Sequence, residues 1–171
     1  MERNNKRNNR GNNTDLAALL STLPQATADI TGAAGYRTVR GRVRFYQSRY
    51  GVFVVTELVG LPRGSGCASP IFGYHIHGGA ACEGSAADPF SEAGAHYDKR
   101  ECPHPYHAGD LPPLWGAGGN AFSVVLTDRL TVDEIIGKTI VVHGDLDDLT
   151  TQPAGNAGKR IACGEIRAVT G

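Results

Sequence analysis

All six histidines of this 171-residue chain lie between positions 75 and 143, which restricts the folds that the chain can adopt. His75 and His77 alternate along an apolar segment that reads as a strand, and His143 ends another apolar segment. Imidazole is a common ligand of zinc and copper, so a chain with all its histidines in one region is expected to hold metal there. The fold must therefore bring two strands and the segment between them to one point.

The segment between these strands supplies further metal-ligating side chains, which are His96, His104, His107 and Asp110. Three imidazoles and one carboxylate can close a tetrahedral zinc site. Seven ligands are too many for one ion of this kind, so we expect two metal ions that share a ligand. Residues 78–109 also lack sustained periodicity, and a long irregular stretch inside a compact domain is usually functional. The alternative, surface histidines that bind nothing, leaves this joint arrangement unexplained.

Short apolar segments separated by Gly- and Pro-rich turns predict an all-β fold. Val39, Val43 and Phe45 alternate with arginines, which predicts a strand with one solvated, basic face inside a hairpin at 37–58. Further strands are predicted at 26–31, 71–77, 110–115, 120–127, 138–143 and 161–169, and a helical turn at 131–136. About eight short strands with two long functional loops indicate an eight-stranded Greek-key β-barrel or sandwich.

Length and charge limit the domain organisation and the partners. The chain is long enough for one domain with a sizeable core, and its formal net charge of zero gives no indication of nucleic acid or an anionic membrane as a partner. Residues 1–13 carry four basic groups and one acidic group, a net charge of +3, and are predicted to be a disordered, Asn-rich tail. A short helix is predicted at 14–24 and the β domain at 25–171.

The cellular location is the least constrained feature of the sequence. No secretory signal or membrane-spanning segment is recognisable, which predicts a cytoplasmic protein. Four cysteines leave a secreted or cell-surface location open, because disulfides are uncommon in the cytosol.

Five motifs within residues 37–170 resemble those of the copper/zinc superoxide dismutase family. They are Gly73-Tyr-His-Ile-His77, Gly94-Ala-His-Tyr-Asp98 with His104 following, His107-Ala-Gly-Asp-Leu111, Val141-Val-His143 with Asp147-Asp-Leu149 following, and Gly155-Asn-Ala-Gly-Lys-Arg-Ile-Ala-Cys-Gly164. The resemblance implies the family's β-barrel and its reaction, the dismutation of superoxide to dioxygen and hydrogen peroxide at a copper bridged by a histidine to a structural zinc. It is to the bacterial type, because the loop from His143 to Arg160 is shorter than in the animal enzymes. A homodimer is compatible with this family, whose members dimerise through different surfaces.

The resemblance also implies a role for each candidate residue. The implied copper ligands are His75, His77, His96 and His143, and the implied zinc ligands are His96, His104, His107 and Asp110. As the bridging imidazolate, His96 would also deliver a proton to the departing peroxide. Asp147 would accept hydrogen bonds from one copper histidine and one zinc histidine, which fixes the orientation of both rings. Arg160 would position the superoxide anion over the copper, with Lys159 adding positive charge.

The cysteines and one loop complete what the resemblance implies. It pairs Cys82 with Cys163 in a disulfide, which could contribute roughly 4 kcal/mol of stability on the chain-entropy model. Cys67 and Cys102 have no family equivalent and are either a second pair or free thiols, and Cys102 is also a candidate soft ligand. The segment from Cys82 to the bridging histidine is longer than usual and adds acidic residues near the site entrance, namely Glu83, Asp88 and Glu92. The alternative function is a copper-handling or structural metal-binding protein on the same fold.

Overall fold

The computed structural model describes residues 16–65 and 70–170, and within them the chain is built mainly from short strands. The strands are β1 (Ala26–Gly32), β2 (Arg40–Ser48), β3 (Gly51–Val59), β4 (Ile71–Phe72), β5 (Tyr74–His77), β6 (Leu114–Trp115), β7 (Asn120–Thr127), β8 (Thr139–His143), β9 (Arg160–Glu165) and β10 (Arg167–Ala168). The helices are α1 (Leu16–Leu20) and α2 (Val132–Ile135), and 3-10 turns lie at Ala34–Tyr36 and Ser91–Ala93. The predicted tail at residues 1–13 lies outside the described residues.

Eight of these strands form one curled antiparallel sheet. Their order is β5-β8-β9-β1-β2-β3-β7, with β10 paired to β1, and β4 and β6 form a separate two-stranded ribbon. β1, β2 and β3 follow one another as neighbours, whereas β5 pairs with β8 and β9 with β1 across long stretches of chain. This confirms the predicted all-β, Greek-key class of fold, in which distant strands become neighbours.

The basic face of β2 is a solvated sheet surface, as its alternation predicts. Val43 and Phe45 are buried, while Arg42 pairs with Asp29 on the neighbouring β1 at 2.6 Å and Arg44 pairs with Glu57 on β3. Exposed ion pairs of this kind contribute about 0–1 kcal/mol each. The arginines therefore keep this face in water and do not form part of the metal centre.

The first described helix ends before the predicted 14–24 segment does. α1 ends at Leu20, and the hydroxyl groups of Ser21 and Thr22 donate to the carbonyls of Ala18 and Leu19, each at 2.7 Å. Such side-chain hydrogen bonds offer the carbonyls an alternative to helix continuation.

The predicted strand at 71–77 is interrupted at Gly73. β4 before the interruption pairs with β6, whereas β5 after it pairs with β8. A Cβ at Gly73 would lie 2.6 Å from the Ala157 Cβ and 3.3 Å from the His143 Cβ, so only glycine allows this close approach. The Gly73 carbonyl also accepts a hydrogen bond from the His143 amide at 2.8 Å. The interruption thereby fixes β5 against the end of β8, where three histidines meet.

The core lies inside the curled sheet, and the histidine-bearing strands pack on it. Fully buried side chains include Phe45, Phe72, Ile76, Ile140 and Ile161. Because Ile76 and Ile140 belong to β5 and β8, the core holds the histidines of those strands on a rigid frame. Within residues 16–65 and 70–170, no helix has the length and apolar character needed to cross a membrane.

Candidate metal centre

Four histidines converge where β5 and β8 lie side by side. They are His75, His77, His96 and His143, and one ring nitrogen from each lies within 4.8 Å of the others. β5 supplies the first two and β8 supplies the last. His96 comes from the long loop between β5 and β6 (residues 78–113). This loop runs alongside β5, where the Tyr97 amide donates to the Ile76 carbonyl at 2.8 Å. We refer to these four residues as the all-histidine group.

The hydrogen bonds of these rings show which nitrogens face the centre of the all-histidine group. His77 Nδ1 donates to the Gly94 carbonyl at 2.9 Å and His143 Nδ1 donates to the Gly158 carbonyl at 3.3 Å. Both Nε2 atoms therefore carry lone pairs, although they lie only 3.2 Å apart. Two lone pairs at this distance repel one another unless a cation lies between them. The geometry thus fits a metal ion.

A second group consists of His96, His104, His107 and Asp110, again with ligand atoms within 4.8 Å of one another. The Asp110 carboxylate lies 2.7 Å from His96 Nδ1 and 3.1 Å from the Nδ1 atoms of both His104 and His107. Neither of these last two buried nitrogens has a hydrogen-bond partner within the described ranges. We refer to these four residues as the carboxylate group. A closed set of three imidazoles and one carboxylate suits zinc.

His96 belongs to both groups and presents one nitrogen to each. Its Nδ1 faces Asp110, while its Nε2 is buried and has no hydrogen-bond partner in the described parts of the chain. The ring stacks on that of His75 at 3.9 Å between centroids. Seven side chains are thereby arranged as two sets of four with one shared member.

Asp147 connects the two groups without belonging to either. One carboxylate oxygen accepts a hydrogen bond from His75 Nε2 at 2.7 Å, and the other accepts one from His104 Nε2 at 2.9 Å. The side chain is buried, and its Oδ1 also accepts from the Leu149 amide. These bonds fix both rings so that their Nδ1 lone pairs face the metal groups. The contacts are those that the resemblance implies for this residue.

The protonation states agree with ligand roles. Burial lowers the pKa of His77 to about 3 and that of His143 to about 4, and burial holds the pKa of His75 far below its usual value. For Asp110, burial acts to raise the pKa, but the hydrogen bond from His96 and the neighbouring histidines outweigh it and keep that pKa low. Metal binding needs neutral imidazoles and an ionised carboxylate. The shifted pKa values of His75, His77 and His143 keep these three imidazoles neutral near neutral pH, and that of Asp110 keeps its carboxylate ionised.

A cleft of about 1070 Å³ gives access to the all-histidine group and is lined by His77, His96, His143, Lys159 and Arg160. The Arg160 guanidinium donates to the Phe90 carbonyl at 2.7 Å and to the Gly94 carbonyl at 2.8 Å. These bonds hold the charged group beside the three histidines. The structure therefore brings a fixed cation to the place where a small anion would enter.

Of the three acidic residues predicted near the entrance, one reaches the cleft. Asp88 lines it and lies 3.4 Å from Arg160 Nη1, whereas Glu83 and Glu92 are exposed residues outside its lining. A half-exposed pair at this distance is weak because water screens it. Asp88 therefore tempers the charge of Arg160 without neutralising it.

The predicted disulfide between Cys82 and Cys163 is confirmed, with a Cα–Cα distance of 5.7 Å. It ties the long loop to β9, next to the Val141 side chain of β8. Cys102 is half-buried, forms no disulfide within residues 16–65 and 70–170, and belongs to neither metal group, so a ligand role is not supported. Its suggested partner Cys67 lies outside the described residues.

Removing the disulfide should destabilise the fold. It closes a loop with a sequence separation of 81 residues, for which the chain-entropy model gives roughly 4 kcal/mol. We expect Cys82→Ser to lower the free energy of unfolding by up to that amount, measured by denaturant titration of the metal-free protein. Cys102→Ser is the matched control and should change it little. Equal stability of the two variants would contradict the prediction.

One residue that contacts the centre has no signal in the sequence. The Gln152 side chain bonds both main-chain groups of His104, at 2.9 and 2.7 Å. A single polar residue in an irregular loop carries no periodicity or motif, so only the folded chain reveals this contact.

Comparisons with known proteins agree with this geometry. The sequence model of the family described as copper/zinc superoxide dismutase matches residues 39–166. A Cu-Zn superoxide dismutase of Photobacterium leiognathi is 35% identical over 141 residues, covering 74% of this chain and 78% of that protein. One of Deinococcus radiodurans is 34% identical over 164 residues, covering 85% and 86%. One of Legionella pneumophila is 30% identical over 162 residues, covering 90% and 94%.

Proposed function

This chain belongs to the copper/zinc superoxide dismutase family, and from that premise we propose that it converts superoxide to dioxygen and hydrogen peroxide. One observation carries the proposal. Both groups of four metal-ligating side chains are complete, they share His96, and they lie beside a cleft that Arg160 lines. A domain that had lost this activity would be expected to lack ligands, and none of the seven is missing.

The two groups differ in chemistry, which supports a different metal for each. We assign copper to the all-histidine group (His75, His77, His96 and His143), because imidazole suits copper and three of these rings line the cleft. We assign zinc to the carboxylate group (His96, His104, His107 and Asp110), because three imidazoles with one carboxylate form a closed tetrahedral set. When bound, copper supplies one-electron exchange with the substrate, and zinc supplies a fixed charge without redox chemistry.

Arg160 is the residue that we assign to substrate binding. Two of its N–H groups are held by the carbonyls of Phe90 and Gly94, so the guanidinium charge stays at the cleft. Superoxide is a small anion and is attracted by that charge together with Lys159, which lines the same cleft. Binding at Arg160 orients the anion towards the three histidines.

His96 is the residue that we assign to proton transfer. Its Nδ1 is held at Asp110, while its buried Nε2 has no hydrogen-bond partner in the described ranges and its ring borders the cleft. This nitrogen can therefore hold a proton and deliver it to the reduced product, which needs protons to leave as hydrogen peroxide.

Metal analysis combined with an activity assay tests the proposal. Natively purified protein should contain close to one copper and one zinc per chain, and this protein should accelerate superoxide decay. Zinc alone would support a structural metal-binding domain. Copper transfer to a partner protein without dismutation would support the copper-handling alternative.

We also propose a homodimer in solution. What supports it is a row of exposed apolar side chains, Phe122, Val124 and Leu126, on β7, which is an edge strand of the sheet. Exposed apolar rows are typical of interaction surfaces. Sedimentation equilibrium should give twice the chain mass of 18.1 kDa, and the monomer mass would contradict this proposal.

The cytoplasmic location stays a prediction. A structural disulfide is uncommon in the cytosol, so the bond between Cys82 and Cys163 favours the alternative of a secreted or cell-surface protein. Cell fractionation would distinguish the two locations.

A further inference from the structure

We propose that Gln152 is a positioning residue for the carboxylate group, fastening the loop at residues 144–159 to the backbone of His104. This inference rests on the proposed zinc assignment, because His104 is one of the residues assigned to zinc. It adds a residue outside both metal groups, on a different loop from the ligand that it holds.

The contact is a pair of reciprocal hydrogen bonds. Gln152 Oε1 accepts from the His104 amide at 2.9 Å, and Gln152 Nε2 donates to the His104 carbonyl at 2.7 Å. The same Nε2 makes a longer contact with the Thr150 carbonyl at 3.4 Å. One primary amide thus satisfies both main-chain groups of His104, as a neighbouring strand would. The bonds restrict the position of the His104 backbone.

His104 is held at a second point by the same loop. Asp147 accepts a hydrogen bond from its Nε2 at 2.9 Å, so the loop fixes both the ring and the backbone of one ligand. Gly155 shows how closely the loop packs there, since a Cβ at this position would lie 1.9 Å from Asp147 Oδ1 and 2.7 Å from His104 Nε2. With both ends fixed, the His104 Nδ1 points towards Asp110 and His107.

The same loop forms part of the cleft wall. Pro153 and Ala154, the two residues after Gln152, line the cleft. A metal ion that fixes His104 therefore also restrains Gln152 and this part of the wall. Loss of the Gln152 side-chain amide should therefore weaken zinc binding. It should also reduce the protection against proteolysis that bound zinc gives to the loop at residues 144–159.

The test compares three variants of the full chain with the wild type. Gln152→Met keeps the side-chain length but removes both hydrogen bonds. Gln152→Glu keeps an acceptor for the His104 amide and loses the donor to its carbonyl. Thr151→Ala is the matched control, because Thr151 bonds Asp148 within the same loop and not His104. Circular dichroism of the metal-free proteins verifies that each variant folds.

Zinc affinity, measured by competition with a chelator, is the first readout. By analogy with other outer contacts of metal ligands, we expect a loss of about 10-fold for Gln152→Met and a smaller loss for Gln152→Glu, against less than about twofold for Thr151→Ala. Copper affinity should change little in all three, because the side chain of Gln152 bonds His104 and Thr150, and neither residue belongs to the all-histidine group. The visible spectrum of protein loaded with Co²⁺ at the zinc position should change for the two Gln152 variants only.

The second readout is proteolysis of the loop at residues 144–159, with and without zinc. Zinc should protect this loop in the wild type and in Thr151→Ala, and less so in Gln152→Met. If Gln152→Met binds zinc as tightly as the wild type, or if Thr151→Ala loses as much affinity, the inference is wrong while the proposed function stands. A wild-type chain that binds no zinc would overturn both.

Discussion

Replacing His143 by alanine should abolish superoxide dismutation while zinc remains bound. His143 belongs to the all-histidine group only, where its Nε2 lies 3.2 Å from that of His77 and its Nδ1 is held by the Gly158 carbonyl. Residues that only hydrogen-bond to metal ligands typically contribute about 10–100-fold to metal affinity or activity. Loss of a direct ligand should therefore lower the rate of dismutation by at least about 100-fold. The rate of superoxide decay and the metal content of the loaded protein measure the two effects.

His107→Ala is the matched control for this prediction. His107 belongs to the carboxylate group only, so its loss should release zinc and leave copper bound. Opposite metal losses in the two variants would support the assignment of one metal to each group. Dismutation that survives His143→Ala, or that persists after copper has been removed, would show that the all-histidine group is not the reaction site.

Much of the fold could be predicted because its signal is local. β7 occupies the predicted residues Asn120–Thr127, and the hairpin of β2 and β3 at residues 40–59 overlaps the predicted hairpin at 37–58, beginning three residues later and ending one residue later. Alternation of apolar and polar residues specifies such strands without knowledge of their partners. The interruption at Gly73 was not predictable in this way, since it depends on contact with Ala157, far along the chain.

The candidate site likewise has features that the sequence predicts and features that depend on tertiary contacts. The ligand types and their number were readable from the sequence, and the family motifs implied how they would be shared. The structure adds contacts that the spacing of residues along the sequence does not predict. These are the approach of His77 Nε2 to His143 Nε2 and the carbonyls that orient both rings. The bonds from Gln152 to His104 join residues 48 positions apart, so they arise only from the tertiary fold.

Asp147→Asn should weaken zinc retention markedly. The two carboxylate oxygens of Asp147 accept hydrogen bonds from His75 Nε2 and His104 Nε2, and an asparagine side chain has only one oxygen to accept them. One ring then faces an NH2 group and must turn or shift. Outer contacts of this kind typically contribute about 10–100-fold to metal affinity, so we expect a loss in that range. Competition with a chelator measures it.

Asp148→Asn is the control that separates this role from a loop effect. Asp148 is exposed and, among the described residues, its carboxylate bonds only Thr150 and Thr151, so its replacement should change zinc affinity much less. Because Asp147 also holds His75, its variant should lower copper affinity as well, whereas Gln152→Met should affect zinc alone. Equal zinc affinity of the Asp147 and Asp148 variants would mean that both acids merely stabilise the loop. A loss of both metals confined to Asp147→Asn would identify this carboxylate as the link between the two halves of the centre.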